Sequence, residues 1–193
     1  MQRKIHESSG KSGDNIAFHR YGGKWEILRK FVFSEQTLMA TKGTYTYDYP
    51  RAAVTADCVL ISADENQRLS VLLIQRGGEP YKGCWAFPGG FMEMYETIEQ
   101  CASRELEEET GLHIPSESGQ LRQLGCYSAV DRDPRGRVIT VAFYALIEKA
   151  DVKGSDDASD ARWFPLSDLP QLAFDHKEIL DRVLEITHTS LNC

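Results

Sequence analysis

The amino-acid sequence predicts an α/β fold in which a mixed β-sheet is covered by helices on both faces. Strand-like apolar runs occupy the middle of the chain and enclose one amphipathic helix, and a second helix with core-facing spacing lies near the end. The length of 193 residues suits one globular domain, which normally has about 100–200 residues. We therefore expect one core, built from a central sheet and two helices.

The strands are predicted from short apolar runs that are bounded by polar or turn sequences. We expect them at residues 52–61, 69–74, 121–130, 138–147 and 162–164. The polar residues 64–67 separate the first two runs and predict a hairpin. The Asp-Pro-Arg-Gly sequence at 133–136 predicts a turn between the third and fourth strands.

The helices are predicted from their end signals and their apolar spacing. Thr97 and Gln100 stand at capping-box spacing, and Gly111 supplies the stop, so the first helix lies between them. The Pro-Gly-Gly sequence at 88–90 before it is a turn signal. A second helix is expected from about Asp175 to Ile186, where apolar residues recur at core spacing.

Residues 1–50 differ from the rest and are predicted to be an N-terminal extension, partly flexible, to a domain at 51–193. The extension begins with a polar Ser/Gly-rich segment, and Trp25 to Phe33 is a short amphipathic stretch. Met39 is an alternative start. We expect residues 1–38 to be dispensable for folding.

Composition and charge exclude several classes of protein. No apolar run approaches the ~20 residues of a membrane helix, and the polar N-terminus lacks the apolar centre of a signal peptide, so a cytoplasmic location is expected. Five cysteines without a CxxC pair argue against a disulfide framework or a zinc site. The formal net charge of -7 argues against nucleic acid and anionic membrane as partners. A phosphate-containing ligand would therefore need a bound cation.

The first helix carries carboxylates on its apolar side. On a helical wheel of about 100° per residue, Glu105, Glu108 and Glu109 continue the apolar stripe, whereas Glu107 points away from it. Like charges at these spacings repel one another, and a hard cation with oxygen ligands, such as Mg²⁺, relieves the repulsion. The alternative is a set of ordinary surface glutamates, which the wheel disfavours. Arg104 can hold the carboxylates in place.

These residues resemble a known motif, the Nudix box. Gly90, Glu96 and the run Arg-Glu-Leu-Glu-Glu-Glu-Thr-Gly-Leu at 104–112 match G-x5-E-x7-R-E-U-x-E-E-x-G-U at every specified position, where U is aliphatic. The wider resemblance covers about residues 52–186. It implies a Nudix α/β/α sandwich with a mixed β-sheet, and an enzyme that hydrolyses a nucleoside diphosphate linked to another group.

The resemblance also implies roles for individual residues. The implied metal ligands are the Gly90 carbonyl and the carboxylates of Glu105, Glu108 and Glu109. The metal is expected to be Mg²⁺, with Mn²⁺ as an alternative, and it assists the attack of water on phosphorus. Glu105 is the candidate acceptor of the water proton, while Arg104 and Glu96 complete the catalytic set. Asp157, in the acidic loop at 148–160, is a candidate helper base, with a solvated loop as the alternative.

Candidate substrate contacts flank the box and resemble the ADP-ribose pyrophosphatase branch, which includes the Nudix domains of regulators of NAD metabolism. They are Arg76, Trp85, Phe87, Arg132 and Arg135. The two aromatic residues could instead belong to the core, and an arginine-rich turn is often merely solvated. His176 is expected to form a hydrogen bond at the start of the second helix rather than to act as a base.

The expected reaction is hydrolysis of ADP-ribose to AMP and ribose 5-phosphate. Two alternatives are hydrolysis of oxidised nucleoside triphosphates and ligand sensing without turnover. The regulators usually carry a winged-helix DNA-binding domain after the Nudix domain, for which this length leaves no room, and the box has its full ligand set; both points favour catalysis. The expected partner is a nucleotide-diphosphate small molecule, and a homodimer is left open.

Overall fold

The computed structural model describes residues 16–21, 24–29, 46–154 and 158–191. Contacts between Cα atoms divide the chain into two units, Met1–Gly43 and Thr44–Cys193. The first unit contains an antiparallel hairpin of β1 (Ile16–Tyr21) and β2 (Lys24–Arg29). Strand β2 includes the beginning of the amphipathic stretch from Trp25 to Phe33, and the end of that stretch lies outside the described residues.

The second unit is built around a seven-stranded mixed sheet. Its strands are β3 (Ala53–Ala63), β4 (Leu69–Arg76), β5 (Trp85–Ala86), β6 (Gly89–Phe91), β7 (Arg122–Tyr127), β8 (Val138–Leu146) and β9 (Ala158–Pro165). The strand order is β5-β4-β3-β8-β7, with β6 paired to β3 and β9 paired to β4. Only the β3–β8 pair is parallel among the described pairs. The predicted mixed sheet and the β3–β4 hairpin are confirmed.

Two helices accompany the sheet, α1 (Ile98–Thr110) and α2 (His176–Leu191). At the start of α1, the Gln100 N–H donates to the Thr97 hydroxyl over 3.3 Å, and the Thr97 N–H donates to the Gln100 side chain over 2.9 Å. Gly111 ends the helix at φ 75°, a conformation that favours glycine. The predicted capping box and stop therefore set the position of α1.

Strand β3 lies between the two helical layers. Its side chains alternate between the faces of the sheet, so Cys58 and Leu60 pack in the cluster that contains α1, while Val59 and Ile61 pack in the cluster that contains α2. A strand that is covered on both faces has a continuous apolar sequence rather than an alternating one. The α/β/α layering that the sequence predicted is thereby explained.

Some boundaries differ from the sequence prediction. Strand β9 is longer than the predicted 162–164 because its backbone pairs with β4 over its full length, polar residues included. Helix α2 continues past Ile186 to Leu191. Within the described residues, no helix is both long and apolar enough to cross a membrane.

The predicted turn at residues 88–90 is wrong for Gly89 and Gly90, which belong to strand β6 and pair with β3. A Cβ atom on Gly89 would lie 2.1 Å from the Ala56 carbonyl oxygen. The close approach of two backbones therefore requires glycine at this position. The sequence alone does not show whether a glycine serves such a close approach or a turn.

We expect Gly89→Ala to lower the free energy of unfolding by about 1–3 kcal/mol, because the added methyl group meets the backbone of a central strand. Gly78→Ala is the matched control, since no atom lies within 4 Å of its Cβ position. Urea denaturation of both variants measures the difference. Equal stability of the two variants would contradict the close approach of β6 to β3.

Candidate active site

A cleft of about 320 Å³ lies beside β3, β6 and the face of α1 that meets them. Carboxylates and arginines both line it, so charges of opposite sign face one space. The carboxylates are Asp57, Glu93, Glu105, Glu109 and Asp133, and the arginines are Arg76, Arg104, Arg132 and Arg135. This composition suits a ligand with negative charge that is bound together with a cation.

Arg104 binds three of the predicted site carboxylates at once. Its guanidinium donates two hydrogen bonds to Glu96, at 2.7 and 3.0 Å, and one each to Glu105 at 2.7 Å and Glu108 at 3.0 Å. It also donates to the Phe91 carbonyl over 3.2 Å. The hydrogen bonds from Arg104 hold the pKa of Glu96 below its usual range. Arg104 thus holds the carboxylates in place, as the sequence predicted.

Glu105 and Glu109 are half-buried on the side of α1 that faces the cleft. Burial raises the pKa of Glu109 to about 8, and burial also raises the pKa of Glu105. Glu109 accepts a 2.8 Å hydrogen bond from the Gly89 N–H. A Cβ atom on Gly90 would lie 2.5 Å from the Glu105 carboxylate, so glycine at this position makes room for it. When both of these neighbouring carboxylates are ionised they repel each other, and a cation bound between them would relieve that repulsion.

Glu108 lies further from the cleft than the helical wheel predicted. Its side chain is 58% exposed, close to the 53% of Glu107, and it does not line the cleft. At about 100° per residue Glu108 falls at the margin of the apolar stripe, where small rotations of the helix decide exposure. The partners of the two residues differ, because Glu108 binds Arg104 and Glu107 binds His113 over 2.7 Å.

The three candidate arginines line the cleft with different partners. Arg132 has a side chain only 3% exposed and donates two hydrogen bonds to Asp175, at 2.8 and 2.6 Å. Arg135 is paired with Asp133 over 2.7 Å but is 40% exposed. Arg76 is half-buried, and its Nε donates to the Pro80 carbonyl over 2.8 Å. Arg132 and Arg135 each bind an aspartate through Nε and Nη2, so exposure is what separates them. Arg76 and Arg135 are accessible from the cleft, whereas Arg132 is buried.

The two candidate aromatic residues are placed differently. Phe87 is 1% exposed and stacks on the His176 ring with centroids 4.6 Å apart; it lines the floor of the cleft. Trp85 does not line the cleft and packs edge-on against Phe164, with centroids 4.5 Å apart. His176 begins α2 and accepts a 2.9 Å hydrogen bond from the Phe87 N–H, as expected of a residue at a helix start.

The family model of the NUDIX domain matches residues 51–183, which include this cleft and the helix with its carboxylates. The chain belongs to the Nudix family. It is 49% identical over 171 residues to the ADP-ribose pyrophosphatase of Methanocaldococcus jannaschii, covering 88% of this chain and 90% of the relative. That alignment is longer than the segment 51–193, so it includes part of residues 1–50. This chain is a Nudix pyrophosphatase.

Two further similar proteins have names that mention a ligand or a regulatory role. The chain is 37% identical over 160 residues to the ADPR responsive transcriptional repressor NtrR of Acinetobacter baylyi, covering 80% of this chain but only 61% of the repressor. A cocrystal structure of the NUDIX domain of Shewanella oneidensis NrtR complexed with ADP ribose superposes with a TM-score of 0.66 and 33% identity, covering 72% of this chain and 90% of that domain.

The Nudix cleft fits a divalent cation by its donor chemistry. Its carboxylates are oxygen donors, which are the ligands that Mg²⁺ and Mn²⁺ prefer, and the absence of a side chain at Gly90 leaves space for the Glu105 carboxylate. Within the described ranges, no three His, Cys, Asp or Glu side chains are arranged to hold a metal ion. The carboxylates of Glu105 and Glu108 instead share the guanidinium of Arg104.

Other residues of the Nudix cleft were not assigned from the sequence. Asp57 lies under the cleft, accepts a 2.6 Å hydrogen bond from the Thr140 hydroxyl, and is 3.8 Å from Arg132. The sequence does contain a signal for Asp57, which is a charged residue within the apolar run of β3. Buried aspartates are rare unless they are paired. Phe174 and Asp175 belong to the segment from Leu172 to His176, which resembles the ADP-ribose pyrophosphatase branch, but the sequence alone assigns neither residue a role of its own. The candidate base Asp157 lies outside the described residues.

The buried ring of His176 should make stability depend on pH. Burial lowers its pKa, and its Nδ1 must stay unprotonated to accept from the Phe87 N–H. The native state therefore binds fewer protons than the unfolded state, so stability falls as the pH drops through about 6.5, by on the order of 1 kcal/mol between pH 7 and 5.5.

The variant His176→Gln isolates this effect, because glutamine offers an acceptor for the Phe87 N–H but does not titrate. Urea denaturation from pH 5.5 to 8 should give a flatter profile for the variant than for the wild type. Parallel profiles would show that protonation of His176 does not limit stability.

Proposed function

We propose that this Nudix pyrophosphatase hydrolyses ADP-ribose to AMP and ribose 5-phosphate. The observation that carries the proposal is the single cleft in which the half-buried carboxylates of Glu105 and Glu109 face the accessible arginines Arg76 and Arg135. The former suit a cation and the latter suit a diphosphate. The similarity to an ADP-ribose pyrophosphatase over most of both chains supports the choice of substrate.

The metal would be held by the Gly90 carbonyl and by Glu105, Glu108 and Glu109, with Mg²⁺ preferred and Mn²⁺ as the alternative. When bound, it offsets charge on the diphosphate and increases the acidity of a water molecule. Arg104 keeps Glu105 and Glu108 near each other despite their repulsion, and Glu96 fixes Arg104 from the other side. Arg104 and Glu96 thus act as positioning residues.

Glu105 is the proposed acceptor of the proton that the attacking water loses. Its half-buried carboxylate lines the cleft in which the attacking water would lie. The water oxygen bonds to one phosphorus atom, and the bond from that phosphorus to the bridging oxygen breaks. Both products then carry a phosphate monoester. Asp157 is retained as a proposed helper base.

The substrate contacts follow from accessibility. Arg76 and Arg135 would contact the diphosphate, because both side chains line the cleft and are partly exposed. Arg132 would support the site from behind, since its side chain is buried and bound to Asp175. Phe87 would shape the floor of the cleft, and Trp85 would support it through β5.

A second candidate function is ligand sensing without turnover. It is favoured by the similarity to the ADPR responsive repressor and to the NUDIX domain complexed with ADP ribose. The two functions share a binding cleft and differ in whether the bridging bond is cut. Turnover therefore separates them.

The proposed reaction is tested with a panel of ADP-ribose, other nucleoside diphosphate sugars and nucleoside triphosphates, with Mg²⁺ or Mn²⁺ and with EDTA. We expect AMP and ribose 5-phosphate from ADP-ribose, with the highest kcat/KM of the panel, and no reaction in EDTA. Pyrophosphate released from a triphosphate at higher kcat/KM would overturn the substrate, and tight ADP-ribose binding without products would favour the sensor.

The carboxylate roles are tested with neighbouring glutamates of α1. We expect Glu109→Gln and Glu108→Gln to lower kcat by about 100-fold or more, because each removes a negatively charged ligand proposed for the cation. Glu107→Gln is the matched control, with nearly the same exposure as Glu108 but with His113 as its partner. Steady-state kinetics and Mg²⁺ titration measure the effect. A folded Glu107→Gln variant with an equal loss would refute the assignment.

A further inference from the structure

An unusual backbone conformation marks one residue of the cleft, Phe174. Three non-glycine residues in the described part of the chain have a positive φ: Gln67 at 60°, Tyr81 at 63° and Phe174 at 52°. Gln67 lies in the β3–β4 hairpin, where turns require such angles. Tyr81 lies in the loop between the antiparallel strands β4 and β5, and Phe174 lies just before α2. For bulky aromatic residues this conformation costs free energy. Strain of this kind is concentrated at binding sites.

The side-chain rings of Tyr81 and Phe174 contact each other. Their centroids lie 4.8 Å apart in an edge-to-face arrangement. The backbone on either side of Phe174 is fixed, because the Ala173 N–H donates to the Trp85 carbonyl over 2.8 Å and the His176 N–H donates to the Ala173 carbonyl over 3.3 Å. The Phe174 ring is therefore held at one place in the cleft and is only half-buried there.

Two arginine guanidinium groups lie over the Phe174 ring. The Arg76 guanidinium lies 4.8 Å from the Phe174 centroid, and the Arg135 guanidinium lies 5.8 Å from it and 5.1 Å from the Phe91 centroid. No carboxylate lies within ion-pair distance of Arg76 among residues 46–154 and 158–191. An aromatic face next to a cation without a carboxylate partner combines the two features that bind a nucleoside phosphate, namely base stacking and charge pairing.

We propose that the Phe174 ring is the stacking surface for the nucleobase of the substrate and that Arg76 binds the phosphate of the same nucleotide half. The inference rests on the proposed function for the identity of the substrate. It adds an orientation: the AMP half lies toward Phe174 and Tyr81, and the other half lies elsewhere in the cleft. Ribose 5-phosphate has no aromatic face, so it gains nothing from the ring.

The test compares the affinities of AMP, adenosine and ribose 5-phosphate for the full chain by isothermal titration calorimetry with Mg²⁺. We expect Phe174→Leu to weaken AMP and adenosine by about 10-fold or more, because stacking on an aromatic ring accounts for such factors. Ribose 5-phosphate should change by less than about 2-fold. Phe174→Tyr, which keeps the ring, should bind all three ligands like the wild type.

Phe164→Leu is the matched control, because it removes a ring that packs on Trp85 and does not line the cleft. It should leave the ratio of AMP to ribose 5-phosphate affinity unchanged. Thermal unfolding of each variant establishes that it is folded. Arg76→Gln should weaken AMP but leave adenosine unchanged, which separates the phosphate contact from the stacking contact.

The proposal is overturned if Phe174→Leu weakens ribose 5-phosphate as much as AMP, if it weakens AMP but not adenosine, or if wild-type protein does not bind adenosine. Its failure is distinguishable from that of the proposed function. If the protein does not cut ADP-ribose but Phe174→Leu weakens AMP binding, the base site is supported and the proposed reaction is wrong. If the protein cuts ADP-ribose but Phe174→Leu binds AMP like the wild type, the reaction is supported and the base site is wrong.

Discussion

The repulsion between the carboxylates of α1 is the constraint on which the cleft depends. Four glutamates within two turns of one helix, at positions 105 and 107–109, are unfavourable unless positive charge lies among them. Arg104 supplies that charge from within the same helix and reaches Glu96 in the preceding loop. The loop and the helix are thereby held together before any ligand arrives. The charged groups of the cleft are therefore in place for the cation and the diphosphate proposed above.

Close approach of backbones provides the second condition for the site. Gly89 lets β6 lie against β3, and Gly90 leaves space for the carboxylate of Glu105. A residue with a side chain at either position would displace a strand or a site carboxylate. The two glycines therefore join the core of the sheet to the chemistry at its edge, although they differ in what a methyl group would meet.

A buried polar network beneath the cleft connects distant parts of the chain. Asp57 on β3 lies between the Thr140 hydroxyl on β8 and the guanidinium of Arg132, which in turn binds Asp175 before α2. His176 follows directly and binds the backbone of Phe87. Burying these groups is costly unless they are paired, so the network favours one arrangement of the loop that carries Arg135 and the segment that carries Phe174.

The sequence by itself determined the local features of this protein. Caps at Thr97 and Gly111, apolar runs and the spacing of the box all act within a few residues, so α1, the central strands and the partners of Arg104 were predictable. Only the tertiary structure decided which side chains meet across the chain: Arg132 binds Asp175, 43 residues away, and Glu108 is exposed. Such pairings depend on how strands and helices pack, and no local periodicity encodes them. The positive φ of Phe174 was also decided by the tertiary structure, because the neighbouring Ala173 is hydrogen-bonded to Trp85 in β5.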